Sequence, residues 1–123
     1  MIKLLVVDDS SIICRKIERS VKVSGLNIVG IAHNGLEAVK LFKKHDPDLV
    51  TLDLTMPEMD GLETVSALLA IKPETLVLVV SALADKATAI EAIRRGAHGF
   101  LCKPFTDQEL NEALTELLES GAR

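Results

Sequence analysis

The chain has 123 residues, a formal net charge of −4 and a hydrophobic fraction of 48%. That length fits one ordinary domain, able to bury roughly two thirds of the surface its unfolded chain exposes, so a core forms without disulfide or metal staples. No apolar stretch approaches the ~20 residues of a membrane-spanning helix. The acidic balance, without a basic stripe, argues against direct nucleic-acid binding, and the absence of Trp and Tyr removes the platforms on which bases stack.

Met1-Ile2-Lys3 runs directly into an apolar segment, with no signal peptide visible. Leu4–Asp8 is the first predicted strand. It ends in the neighbouring acids Asp8 and Asp9, and Ser10 and Ser11 then offer caps for a first helix whose stripe is Ile13, Ile17 and Val21. With the serines available, both acids are surplus to capping. Ile28–Ala32 is the second strand. After His33, Asn34 stands three residues before Glu37 and opens the second helix as a capping box.

Leu49–Asp53 is the third strand, followed by a Pro57-containing loop from Leu54 to Gly61. Asp60 and Glu63 repeat the capping spacing before a stripe of Leu62, Val65, Leu68 and Leu69. Leu76–Ser81 and Gly99–Cys102 are the last strands. Thr106 and Glu109 open the final helix, whose stripe is Leu110, Ala113, Leu114, Leu117 and Leu118. Gly25, Gly96 and Gly121 stand where helices are expected to end.

The result is β-α repeated five times, hence a single α/β domain spanning 1–123. The nearly continuous apolar runs are those of parallel strands covered on both faces. Cys14 and Cys102 lack metal-ligand spacing, which fits a reduced, cytoplasmic chain. His33, His45 and His98 are scattered and are expected at the surface or in loops, not as ligands.

Ligands of open α/β sheets bind beyond the carboxyl ends of the strands. There the sequence places Asp8 and Asp9, Asp53, Ser81 and Lys103. Each alone has an ordinary explanation as a turn residue, a strand-end hydroxyl or a solvated charge. Their joint placement favours a site. Two carboxylates about 4 Å apart repel by about 4 kcal/mol at an effective dielectric near 20, so a cation belongs among them. All-oxygen donors favour Mg²⁺, with Mn²⁺ as a substitute, and exclude a zinc site. Carboxylates also attack phosphoryl groups. Asp53, at the end of a central strand and before the Pro57 loop, is the candidate nucleophile.

Val7-Asp8-Asp9, Asp53 followed by Met56-Pro57-x-Met59-Asp60-Gly61, Ser81-Ala82 and Lys103-Pro104-Phe105 together resemble the response-regulator receiver family, particularly its single-domain, chemotaxis-type members. The resemblance implies a doubly wound, flavodoxin-like five-stranded parallel sheet of order 2-1-3-4-5 with five helices. It implies that Asp53 accepts a phosphoryl group from a histidine kinase. Asp8, Asp9, Asp53 and the Thr55 backbone carbonyl would hold Mg²⁺. Lys103 would pair with Asp53, aimed by a cis bond to Pro104. Ser81 and Phe100 would act as switch residues, and Leu83 and Pro104 would line the rim. Phosphorylation would alter the face made by helix 4, strand 5 and helix 5, and so recruit a downstream protein. A monomer without membrane or nucleic-acid partners is expected, with self-dephosphorylation as its only other catalysis.

Four alternatives stand beside this, among them a degenerate receiver serving only as a scaffold, against which the complete set of Asp8, Asp9, Asp53, Ser81 and Lys103 argues. A second is a receiver cut from a longer regulator, such as a chemotaxis methylesterase or transcription factor. Another is an aspartyl-nucleophile phosphatase, for which Asp53 lacks the second Asp of an Asp-x-Asp motif. The last is a flavin carrier, for which the chain lacks a phosphate loop after the first strand.

Overall fold

A computed structural model describes residues 1–54, 60–82 and 86–121. The elements are β1 (Ile2–Val7), α1 (Ser11–Ser20), β2 (Leu26–Ala32), α2 (Gly35–His45), β3 (Leu49–Asp53), α3 (Gly61–Ile71), β4 (Leu76–Ala82), α4 (Lys86–Arg94), β5 (Gly99–Lys103) and α5 (Asp107–Gly121). Every strand pairing is parallel, and the sheet order is β2-β1-β3-β4-β5. This is the expected doubly wound architecture. No helix among the described residues is long and apolar enough to cross a membrane.

Strand alternation divides the core in two. Leu5, Val7, Val50, Leu52, Val77 and Val79 pack with Phe42, Val65, Leu68, Ala89 and Ala92 under α2, α3 and α4. Leu4, Val6, Leu49, Leu78, Val80 and Leu101 pack with Cys14, Ile17, Leu110, Leu114 and Leu117 under α1 and α5. Each central strand thus buries both faces, which explains the near absence of polar residues within it. The stripes of α3 and α5 lie against the sheet as their spacing requires. In α1, Cys14 and Ser20 are buried with Ile17, while Ile13 and Val21 are only partly covered.

The predicted caps form. Ser10, Asn34 and Asp60 accept the N–H groups of Ile13, Glu37 and Glu63. Thr106 and Glu109 exchange both bonds of a capping box, at 3.1 and 2.9 Å. Gly96, at φ 113°, ends α4 in a Schellman turn: its N–H reaches the Ile93 carbonyl, and the Ala97 N–H reaches that of Ala92. Gly25 departs from expectation. Helix α1 ends at Ser20 with Val21 as its cap, and Gly25, at φ 80°, lies in the turn just before β2 instead. Its carbonyl accepts the Ile2 N–H, so its positive φ serves the entry into the sheet. Gly121 is the last residue of α5, where a helix end was expected.

Candidate functional site

Alternation also decides which rim residues meet. Asp8 continues the parity of Leu4 and Val6, Asp53 that of Leu49, and Lys103 that of Leu101. All three therefore leave their strands on the α1/α5 side. The Lys103 ammonium crosses the end of β4 to lie 3.0 Å from Asp8 Oδ2 and 3.5 Å from Asp53 Oδ1. The expected partner of Lys103 was Asp53; the lysine bridges both acids and sits nearer Asp8. Burial alone would lower its pKa, but the hydrogen bond to Asp8 and the charges of Asp53 and Asp8 outweigh it, and the ammonium is held above its usual range.

Asp8, Asp9 and Asp53 each offer a carboxylate oxygen, all within 4.8 Å of one another. Asp8 and Asp53 are buried and Asp9 is exposed. This all-oxygen, hard donor set fits Mg²⁺ or Mn²⁺, which favour carboxylates and keep several waters. The nearby thiol fits neither ion. Burial, then the Asp8 charge, pushes Cys14 up to about 11, and its Sγ donates to the Asp8 carbonyl at 3.4 Å.

Asp8 is not surplus to local structure, as the sequence suggested. Its Oδ1 accepts the Ser10 N–H at 2.9 Å, which shapes the turn into α1, while its own N–H reaches the Ala32 carbonyl and extends the β1–β2 pairing. The Asp8 carbonyl also accepts His33 Nδ1–H, at 3.1 Å, beside the thiol. His33 is exposed as expected, yet it braces the strand end. Sequence spacing gave no sign of these bonds, because they join residues 6 and 25 positions from Asp8.

Gly61 packs against Leu54, the residue that follows Asp53. A Cβ there would stand 2.3 Å from Leu54 Cα and 2.6 Å from its carbonyl oxygen. The Gly61 N–H instead donates to that oxygen at 3.1 Å, closing the loop that follows β3. Only glycine permits this approach.

Ser81 is buried on the opposite parity, with Val77 and Val79, and so belongs to the α4 side. Phe100, paired in register with Val79, leans on that same cluster. Ser81 and Phe100 are thus diagonal neighbours on one face. The Lys103–Pro104 bond is cis, as expected, and Pro104 is exposed. Thr55 and Leu83 lie outside the described residues.

A buried cation-and-carboxylate cluster on the carboxyl rim of an order 2-1-3-4-5 sheet defines a receiver. Residues 4–115 match the response regulator receiver domain family, and the chain belongs to it. It is a receiver of two-component signal transduction, and its similarities lie with chemotaxis. It is 45% identical over 114 residues to a chemotaxis protein CheY of Listeria monocytogenes, covering 93% of this chain and 96% of that protein. It is also 40% identical to a protein-glutamate methylesterase/protein-glutamine glutaminase of Rhodospirillum rubrum, over 94% of this chain but 32% of that protein. Among solved structures, the CheX–CheY–BeF3–Mg²⁺ complex of Borrelia burgdorferi superposes with a TM-score of 0.89 at 30% identity, covering 95% of this chain and 89% of that one.

Proposed function

We propose that the chain is a phosphoacceptor switch in which Asp53 takes a phosphoryl group from a histidine kinase, in the cytoplasm. The observation that carries this reading is the Asp8–Asp9–Asp53 cluster bridged by Lys103. An Asp53 carboxylate oxygen attacks phosphorus as the bond to the donor breaks, and the donor leaves with the electron pair. Lys103 offers its protons to the incoming phosphoryl oxygens, and its burial strengthens that contact. Asp8, Asp9, Asp53 and the Thr55 carbonyl would hold Mg²⁺, which when bound offsets phosphoryl charge. The transfer itself is positioning and charge neutralisation rather than covalent chemistry.

Phosphorylation adds roughly −1.5 to −2 of charge beside Ser81. Ser81 turns toward the new oxygens, and Phe100, diagonal to it, follows into the space vacated. The altered face is α4, β5 and α5. It already offers exposed Ile90 and Ile93 on α4, and a cleft of about 260 Å³ lined by Leu76, Leu78, Phe100, Ala113 and Leu117. A downstream protein docks there, on a monomeric receiver, and catalysis is confined to the chain's own phosphorylation and dephosphorylation. Leu83 and Pro104 would border the rim that water enters.

A second reading, the receiver segment of a methylesterase-type regulator, is favoured by the Rhodospirillum rubrum match and shares the same chemistry. The test is labelling by acetyl phosphate in Mg²⁺, followed by intact mass. One phosphoryl group per wild-type chain and none on Asp53→Asn is expected. Undiminished labelling of Asp53→Asn would sink the assignment, and sustained turnover of phosphomonoesters would make the chain a phosphatase instead.

A further inference from the structure

Helix α1 touches both halves of the site. Its beginning is bound to Asp8, through the Ser10 N–H and the Cys14 thiol. One turn later, Lys16 reaches the segment that follows Lys103. Its Nζ donates to the Phe105 carbonyl and lies 4.3 Å from the centre of the Phe105 ring. Phe105 is buried beneath it, in the core under α1 and α5. The residue two positions after the site lysine is therefore held by its carbonyl and its ring, from the helix that also braces Asp8.

A plain packing role would need only the apolar stem of Lys16. The ammonium adds a charge-assisted hydrogen bond to backbone and a cation–π contact, both aimed at one residue. Among the described residues, neither is repeated further along α1. There the ties to α5 are Ser20 Oγ to Asp107, at 2.6 Å, and Asn111 to the Ser20 carbonyl and the Lys22 N–H, each at 2.7 Å. Those ties fix α5 rather than the β5–α5 loop that follows Lys103.

We infer that Lys16 is a positioning residue for the phosphoryl-transfer site: through Phe105 it sets where the Lys103 ammonium stands relative to Asp8 and Asp53. This rests on the phosphoacceptor reading above. A lysine clamp acts only when its nitrogen meets the charge that develops, so a small displacement of the β5–α5 loop slows transfer without changing the ligands.

The experiment compares the acetyl phosphate labelling rate of the full chain with those of Lys16→Met, Lys16→Arg and Ser20→Ala. Mg²⁺ affinity, thermal stability and the 15N shift of the Lys103 ammonium are measured alongside. Lys16→Met keeps the stem and is expected to slow labelling on the order of tenfold, with Mg²⁺ affinity unchanged and the Lys103 resonance moved. Lys16→Arg keeps donor, charge and stacking, and restores the rate. Ser20→Ala, which cuts the neighbouring tie, lowers stability and leaves the rate alone. The inference is overturned if Lys16→Met labels at the wild-type rate, if arginine does not rescue it, or if Ser20→Ala slows labelling equally. Failure of the wild type to label would strike the phosphoacceptor reading itself, a distinct result.

Discussion

The two rims of the sheet are built from the same residue types to opposite effect. At the amino rim, Lys72 lies 3.2 Å from Asp46 and 3.7 Å from Asp48, and it donates to the Pro47 carbonyl. Asp48 also accepts the Lys3 N–H, and the Lys3 ammonium reaches the His45 carbonyl. The Lys72 ammonium thus pairs with both carboxylates, a backbone N–H adds to one of them, and the acids are open to water, with side chains 71% and 45% exposed. At the carboxyl rim, among the described residues, one lysine faces three carboxylates, and the side chains of Asp8 and Asp53 are 2% and 6% exposed. Screening makes the first arrangement a weak structural staple. Burial and the excess of carboxylates make the second a donor set that fits a cation. A lysine between aspartates therefore means little until charge and solvent are counted around it.

Identical substitutions at the two rims test this contrast. Removing the lysine has the largest expected effect. Lys103→Met should slow acetyl phosphate labelling on the order of 100-fold, while Lys72→Met, at the opposite rim from the acidic cluster, should stay within about twofold. Equal losses would mean that the burial difference is irrelevant to function.

The glycines come next. Gly61→Ala drives a methyl into Leu54 and should lower unfolding free energy by about 3 kcal/mol, with the end of β3 displaced. Gly25→Ala meets no atom within 4 Å and carries only the strain of φ 80°, about 1 kcal/mol. Denaturant titration separates the two.

Third are the acids. Asp9→Ala should weaken Mg²⁺ binding about tenfold or more, yet leave the metal-free protein as stable as wild type or more so, because a repulsion is gone. Asp48→Ala should destabilise by about 1 kcal/mol with or without Mg²⁺, since it removes bonds rather than repulsion. A metal-free Asp9→Ala melting well below wild type would remove the repulsion argument.

The smallest effect is on pH dependence. His98, just before β5 and exposed overall, accepts the Val77 N–H on Nδ1 at 3.2 Å, and partial burial of its ring lowers its pKa from 6.5. The neutral ring is the folded form, so its contribution is complete above about pH 6.5 and fades as the pH falls below that value. The raised Lys103 ammonium runs the other way: its contribution is complete below its ordinary 10.5 and is lost as the pH rises through the folded value. In chelator-treated protein, His98→Ala should flatten the acid limb of stability against pH, and Lys103→Met the alkaline limb. Limbs that respond to the opposite variant would break the pairing of rim with pH.

What was legible in the sequence was local. Asn34, Asp60 and Thr106 announce their helices because a cap needs only the next three residues. The strands are legible because burial on both faces leaves unbroken apolar runs. The order of those strands is not local, and it came from the family's motifs. Gly25 misled because a glycine at positive φ looks the same in sequence whether it ends a helix or leads into a strand. The acids and Lys103 were found by their positions after strands. Their supports were not, since Lys16 is 89 positions from Phe105 and His33 is 25 from Asp8. Packing alone joins such pairs. The loop positions Thr55 and Leu83 lie outside the described residues.

The shared parity of Asp8, Asp53 and Lys103 has a consequence for how genes of this kind can drift. A one-codon insertion or deletion inside β1, β3 or β5 turns every later side chain of that strand to the other face. In β5 it would send Lys103 toward α4 while leaving the composition almost untouched. Length changes between related genes should therefore collect in the turns at the amino rim, where Lys72 and Asp48 can be rebuilt from either direction. The strands leading to the acids should keep their residue count even where their letters change.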